Sequence, residues 1–362
     1  MYAQYLTLKD SIDTAIATVI SDSAFVRGSH VEKFETEFAS LFGVSECISC
    51  ANGTDALYIA LRALGVNIGD EVIAPAHSWI SSTETISQAG GSVVFCDTDK
   101  DTFTIDVEEI ESKITDKTVG ILPVHLYGYP ADMDTIMNLA IKHDLWVLED
   151  CAQAHLAKYK GRIVGTFGDA GTFSFYPGKN LGAMGDAGAI ITNNSELSIK
   201  MQRIARHGGL EKGEHLIEGI NSRLDGIQAA LLSVKLPKLV GWTSRRQDIA
   251  RLYSKRLSQV NGLTTPISDA KRDHVFHLYV IKCTDRDGLK AFLLENGVQT
   301  SINYPTALPF LPAYSRLGHS PKDFQNAWNN QSTILSLPIY PEITDAQVNF
   351  VCDLILDYFT HS

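Results

Sequence analysis

Between residues 45 and 192, short apolar runs alternate with segments whose apolar residues recur at i, i+3, i+4 and i+7. No other feature constrains the chain as strongly. Runs of strand length separated by amphipathic helices are the pattern of a mostly parallel sheet covered by helices, so the fold class read here is α/β. The predicted strands are ECISCA (46–51), EVIAPA (71–76), GSVVFCD (91–97), VGILPVHL (119–126), LWVLED (145–150), AGTFSFY (170–176) and AGAIITN (187–193), seven in all. Helices such as TDALYIALRALG and MDTIMNLAIKHD lie between them.

After Arg223 the pattern becomes one long helical stretch, GIQAALLSVKLPKLVGWTSRRQDIARLYSKRLSQV, in which Pro237 is expected to kink or break the helix. It reads as a connector. Beyond it, the run HVFHLYVIKC, a helix around DRDGLKAFLLENG, a strand VQTSINYP and a final helix DAQVNFVCDLILDYF predict a smaller α/β domain. The expected division is a large domain over 1–235, which includes an N-terminal helix, and a small domain over 236–362.

Composition narrows the function classes. The 362 residues are 44% hydrophobic, enough to bury a sizeable core. A net charge of -11 opposes tracking of nucleic-acid phosphates, so no nucleic-acid partner is expected. The N-terminal MYAQYLTLKDSIDTAIATVI breaks its apolar positions with Lys9, Asp10 and Asp13, which favours an amphipathic helix over a signal peptide and points to a cytoplasmic location. No run approaches the roughly 20 apolar residues that span a bilayer, so no membrane role is expected. The six cysteines (Cys47, Cys50, Cys96, Cys151, Cys283, Cys352) sit in apolar surroundings and read as reduced thiols. Cys47 and Cys50 form a CxxC, but no second pair follows at zinc-ligand spacing and no metal is expected.

Open parallel sheets bind ligands beyond the carboxyl ends of their strands, so polar residues just after each strand are the candidates. Asn52-Gly53-Thr54-Asp55 follows ECISCA and opens a helix, where amides and the Thr54 hydroxyl suit a phosphate; a plain helix cap by Asn52 or Thr54 is the alternative. Asp150 ends LWVLED and suits a protonated pyridinium nitrogen, or else caps a helix over AQAHLA. Gln153 and His155 fall within reach of the same crevice, His155 also reading as a core histidine. Lys179 lies beyond AGTFSFY, flanked by Pro177, Gly178 and a glycine-rich segment with Gly182, Gly185 and Gly188. A surface lysine is the bland reading; a partly desolvated one can act as the amine of a Schiff base. A phosphate-type helix start, a strand-end Asp and a glycine-flanked Lys, in that order, are the parts that a pyridoxal phosphate (PLP) site needs, and Trp79 after EVIAPA offers an aromatic face for the ring.

The chain resembles the sugar aminotransferases of the DegT/DnrJ/EryC1/StrS type, PLP enzymes that make amino-deoxy sugars on nucleotide carriers. The resemblance runs nearly end to end through NGTDAL (52–57), GDEVIAPAHSW (69–79), PVHLYG (123–128), LEDCAQAH (148–155), SFYPGKNLGAMGDAGAI (174–190), GINSRLDGIQAA (219–230) and LPIYPEIT (337–344). It implies a fold type I architecture and a homodimer with the cofactor near the subunit interface. It further implies Lys179 as the Schiff-base lysine, Asp150 at the pyridinium nitrogen, Trp79 stacked on the ring, and Gly53, Thr54 and Ser174 at the phosphate. Gln153 would lie near the ring, Asn221 would reach the phosphate of the neighbouring subunit's cofactor, and Arg223 belongs to the same loop. His77 and Tyr176 would line the sugar pocket.

In one relative of this type, a sugar 3-dehydratase, His replaces the lysine; position 179 here is Lys, which points to transamination with L-glutamate as donor. In this family an aromatic between the Asn and Arg of the 221–223 loop goes with 4-keto sugars and a small residue with 3-keto sugars. Ser222 therefore points to C3 of a dTDP- or UDP-linked hexose, made for O-antigen, lipopolysaccharide or other glycans. The alternatives are a 4-keto-sugar aminotransferase, a PLP-dependent dehydratase and a regulatory homologue. A dinucleotide-dependent reductase is disfavoured because no GxGxxG follows the first strand.

Overall fold

The computed structural model describes residues 2–361. Seven strands form the main sheet: β1 (Glu46–Cys50), β2 (Glu71–Pro75), β3 (Ser92–Cys96), β4 (Thr118–Ile121), β5 (Trp146–Asp150), β6 (Ala170–Ser174) and β7 (Gly188–Thr192). Their spatial order is β1-β7-β6-β5-β4-β2-β3. The pairs β2/β3, β2/β4, β4/β5 and β5/β6 are parallel, and β7 runs antiparallel to both its neighbours. The seven predicted strands are thus the seven found, with ends trimmed by up to five residues. The largest trim is in VGILPVHL, where the ladder stops at Ile121 and the chain turns away towards Pro123.

These strands read as continuous apolar runs because both sheet faces are covered. Val72 and Ala74 of β2 join one buried cluster while Ile73 joins the other, and Leu148 and Val147 of β5 divide in the same way. The N-terminal helix α1 (Tyr2–Ser21) leads to α2 (Ser29–Phe42), which packs on one face with the helix Met133–His143 and the helix Gly226–Lys235; on the other face pack α3 (Gly53–Ala63) and the helix Ser195–Ala205. The α2 face is aromatic: Phe38 meets Phe34, Phe42, Phe173 and Phe175 at centroid distances of 5.6, 4.6, 5.2 and 5.3 Å.

Pro237 breaks the long helical stretch as expected, separating Gly226–Lys235 from the helix Leu239–Leu257 by a single 3-10 turn. The C-terminal region carries its own three-stranded sheet, with Tyr279–Cys283 between Leu263–Thr264 and Ile334–Leu337. Two expectations change here. HVFHLYVIKC forms a strand only from Tyr279, and VQTSINYP is not a strand, touching the sheet through a single bridge between Ser301 and Ser336. The strand that fills its place is Ile334–Leu337, fully buried, while residues 302–307 leave the sheet to reach the cleft described next.

Candidate active site

A cleft of about 730 Å³ opens beyond the carboxyl ends of the parallel strands, where ligand-binding crevices of such sheets lie. Its floor begins at the turn from β1 into α3. Asn52 caps the helix, its Oδ1 accepting from the Asp55 amide at 2.8 Å. The capping alternative therefore belongs to Asn52, and Thr54 turns its hydroxyl to Ser81 Oγ at 2.7 Å within the cleft wall. The first-turn amides stand at the positive end of an 11-residue helix. Gly53 is required by contact: a Cβ there would lie 2.6 Å from Ser174 Cβ at the end of β6. Gly188 is required in the same way, since a Cβ there would lie 2.3 Å from the Asn52 carbonyl oxygen.

Asp150 ends β5 with its carboxylate buried. Oδ2 accepts from Ser82 Oγ at 2.8 Å, and Oδ1 accepts from the Ala152 amide at 3.0 Å. No helix follows, so the alternative role as a helix cap is replaced by closure of a local turn. Gln153 lines the cleft and is committed at both ends, its Oε1 accepting from the Tyr127 amide at 2.6 Å and its Nε2 donating to Tyr304 Oη at 2.9 Å. His155 is not in the crevice. It is fully buried between the rings of Phe173 and Phe175, and burial pushes its pKa down to about 3.

Lys179 follows a tight turn in which its amide donates to the Tyr176 carbonyl at 2.8 Å. It lines the cleft, where burial lowers its amine pKa from the ordinary 10.5 to about 8, with the Asp150 carboxylate pulling the other way. Tyr176 and Trp79 stand at the cleft with 59% and 57% of their surface exposed, Trp79 tilted on Tyr304 at a centroid distance of 5.4 Å. His77 departs from expectation: it is buried behind the wall, and its Nε2 accepts from the Tyr304 amide at 2.9 Å, so it supports the pocket rather than lining it. Asn221 and Arg223 also lie off this cleft. Asn221 is exposed and bridges to Arg206, while Ser222 between them is buried with its Oγ accepting from the Ala51 amide at 3.0 Å.

Among the cleft residues not singled out from the sequence are Ser82, Asp186, His277 and Tyr304. The last two come from the C-terminal region, in segments whose periodicity suggested only strands. A separate buried group, His125, Glu149 and Cys151, brings its ligand-type atoms within 4.8 Å of one another. Its geometry is that of a scaffold. His125 Nδ1 accepts from the Ala131 amide at 3.0 Å, so the ring proton sits on Nε2, which faces Glu149 Oε2 at 3.1 Å. Glu149 also accepts from the amides of Gly165, Phe167 and Gly168 at 2.7, 2.7 and 2.8 Å.

The residues present fit a phosphorylated pyridine aldehyde. A helix start with the hydroxyls of Thr54 and Ser174 suits a phosphate, a buried carboxylate suits a ring N–H, and a desolvated amine suits an aldehyde carbon.

The model of the DegT/DnrJ/EryC1/StrS aminotransferase family matches residues 7–356. A "pleiotropic regulatory protein" of Geobacillus stearothermophilus is 43% identical over 99% of this chain and 97% of its own. The UDP-N-acetyl-3-dehydro-alpha-D-glucosamine 3-aminotransferase of Acidithiobacillus ferrooxidans is 39% identical over 98% of this chain and 95% of its own. The crystal structure of Streptomyces venezuelae DesV in complex with a ketimine intermediate superimposes with a TM-score of 0.97 at 38% identity, covering 99% of this chain and 96% of that one. The chain belongs to the DegT/DnrJ/EryC1/StrS aminotransferase family, whose cofactor is pyridoxal phosphate.

Proposed function

We propose that this protein transfers the amino group of L-glutamate to C3 of a dTDP- or UDP-linked 3-keto hexose, acting in the cytoplasm as a homodimer whose subunits share their active sites. The observation that carries the reading is the convergence of Lys179, Asp150 and the Gly53–Thr54 helix start on one cleft. The Thr54 and Ser174 hydroxyls and the first-turn amides of α3 hold the phosphate; Trp79 forms a shelf for the ring; Asp150, oriented by Ser82 and Ala152, keeps a proton on the ring nitrogen. When bound, the cofactor supplies a ring that takes up the electron pair released at the carbon losing its proton. Lys179 anchors the cofactor and, once released, moves that proton as base and then acid, a task suited to an amine lowered to about 8. Gln153 lies beside the ring, Tyr176 faces the substrate, and Asn221 and Arg223, off their own cleft, serve that of the neighbouring subunit.

Amination at C3 is supported by the small residue at position 222, Ser222, which is buried with its Oγ accepting from the Ala51 amide. The relative from A. ferrooxidans, named for a 3-dehydro sugar, supports it further. The regulatory name of the G. stearothermophilus relative makes a non-catalytic role the reading to be tested against.

The test is an absorbance spectrum of wild type beside Lys179→Ala, before and after L-glutamate, followed by addition of 3-keto and 4-keto sugar nucleotides. The expected result is a visible cofactor band that glutamate converts to a near-ultraviolet one, with 2-oxoglutarate released, and an amino sugar formed only from the 3-keto substrate. Sugar consumption without 2-oxoglutarate indicates dehydration, amine formation from the 4-keto sugar overturns the position, and a cofactor band inert to glutamate indicates the regulator.

A further inference from the structure

His277 is held by more buried polar contacts than a wall residue needs. Asn180, next in sequence to Lys179 and 4% exposed, donates from Nδ2 to the Val275 carbonyl at 3.1 Å. That bond fixes which end of the amide is oxygen, because a carbonyl only accepts. Asn180 Oδ1 then faces His277 Nδ1 at 3.3 Å, and since two acceptors do not pair, Nδ1 carries the ring proton. From the other side Arg246, 6% exposed, directs Nη1 to the carbonyls of Phe276, His277 and Ile339 at 3.0, 3.3 and 3.1 Å. Burial, and then the nearby Lys179, Arg246, His155 and His274, hold the imidazole well below its ordinary pKa, so the ring is neutral. Its Nε2 is thus a lone pair on the free edge of a ring in the cleft wall, with no hydrogen bond among the described residues.

Two other acceptor residues lining the cleft with Lys179 are engaged. Both Asp150 oxygens accept bonds and, in the function proposed above, one also faces the ring nitrogen; Gln153 is committed at both ends. A lysine that anchors a cofactor and is then displaced by a substrate amine must rest somewhere, and it carries N–H groups to donate both as the amine and, once it has taken up a proton, as the ammonium. We infer that His277 Nε2 accepts a hydrogen bond from the released Lys179 amine and holds it in place for proton transfer, making His277 a positioning residue in both halves of the reaction. Asn180 fixes the ring's orientation and Arg246 the backbone that carries it, as a rigid site requires of its supports. This inference rests on the transaminase reading.

The experiment compares His277→Asn with His277→Gln. Asn keeps a donor where Nδ1 stands, so the Asn180 contact survives, and removes the acceptor at the cleft; Gln keeps an amide oxygen near the position of Nε2. Thermal melts of both variants show that each is folded. The glutamate and sugar half-reactions are timed separately from the cofactor spectrum. Loss of a hydrogen bond that becomes charge-assisted as Lys179 takes up the proton predicts that His277→Asn slows both by the same factor, about tenfold to hundredfold, and that His277→Gln recovers most of the rate. With the cofactor removed from the full chain, the pH midpoint for acylation of Lys179, followed by mass spectrometry, falls by roughly one unit in His277→Asn, because an acceptor stabilises the ammonium. Slowing of the sugar half alone, or an unmoved midpoint, overturns the inference. If wild type does not react with glutamate, the functional reading fails while the acylation midpoint still decides this one.

Discussion

At the residue scale the site depends on groups placed where their usual chemistry is disfavoured. Lys179 has an ordinary pKa of 10.5 in an unfolded chain and about 8 in the fold, so between these values the unfolded chain binds a proton that the folded chain lacks. Stability contributed by this group therefore rises with pH across that window and is flat below it. Urea midpoints of the cofactor-free protein should climb from pH 8 to 10 relative to Lys179→Met; parallel curves for the two proteins would show that the amine is not desolvated. Gly53 gives a steric counterpart. With its Cβ 2.6 Å from that of Ser174, Gly53→Ala must push the helix start away from β6. Overpacking of this kind costs about 1–3 kcal/mol, so cofactor affinity, read by spectroscopic titration, should fall roughly tenfold or more. Unchanged affinity would place the phosphate elsewhere.

At the element scale, the strand ends do the positioning, and β5 shows how. Its alternation sends Asp150 to the cleft and Glu149 to the opposite side, where the carboxylate gathers three loop amides and the Nε2–H of His125. The loop after β5 carries a short hairpin, Lys158–Tyr159 paired with Arg162–Ile163, and Glu149 pins the stretch that leads from it back to β6. Glu149→Ala leaves four N–H groups without their partner, three loop amides and the Nε2–H of His125, and should destabilise the protein by about 3 kcal/mol or more, measured by urea unfolding. A loss below about 1 kcal/mol would mean that water takes over the carboxylate's bonds. A similar carboxylate at the end of β3, Asp97, accepts from the amides of Asn326 and Ala327 at 2.8 and 2.9 Å and so ties the helix Gln325–Thr333 to the main sheet.

At the scale of the whole molecule, the cleft is closed by chain from the other end of the sequence. Tyr304 and His277 reach it from the C-terminal region, seated by His77 and Arg246. Asn221, exposed and off its own cleft, carries the proposal of shared sites to a direct test. In an equimolar mixture of Lys179→Ala and Asn221→Ala subunits, half the dimers are mixed and each mixed dimer has one intact site. Activity should return to about a quarter of wild type after subunit exchange. No recovery in a mixture shown to contain mixed dimers would assign Asn221 to its own subunit.

The apolar runs specified the seven-stranded sheet, because strands buried on both faces have no polar positions to blur the signal. Local signals were enough for the α3 start, for the strand-end Asp150 and for the break at Pro237, each decided by neighbours within a few residues. Lys179 became legible only through the order of motifs, since nothing in a single lysine tells a buried amine from a surface one. The places of His77 and His155 behind the walls, the departure of VQTSINYP from the sheet, and the arrival of His277 and Tyr304 in the cleft were decided by tertiary structure. Each depends on contacts between residues from about 20 to more than 200 positions apart, where periodicity and spacing carry no information about which side chain faces which.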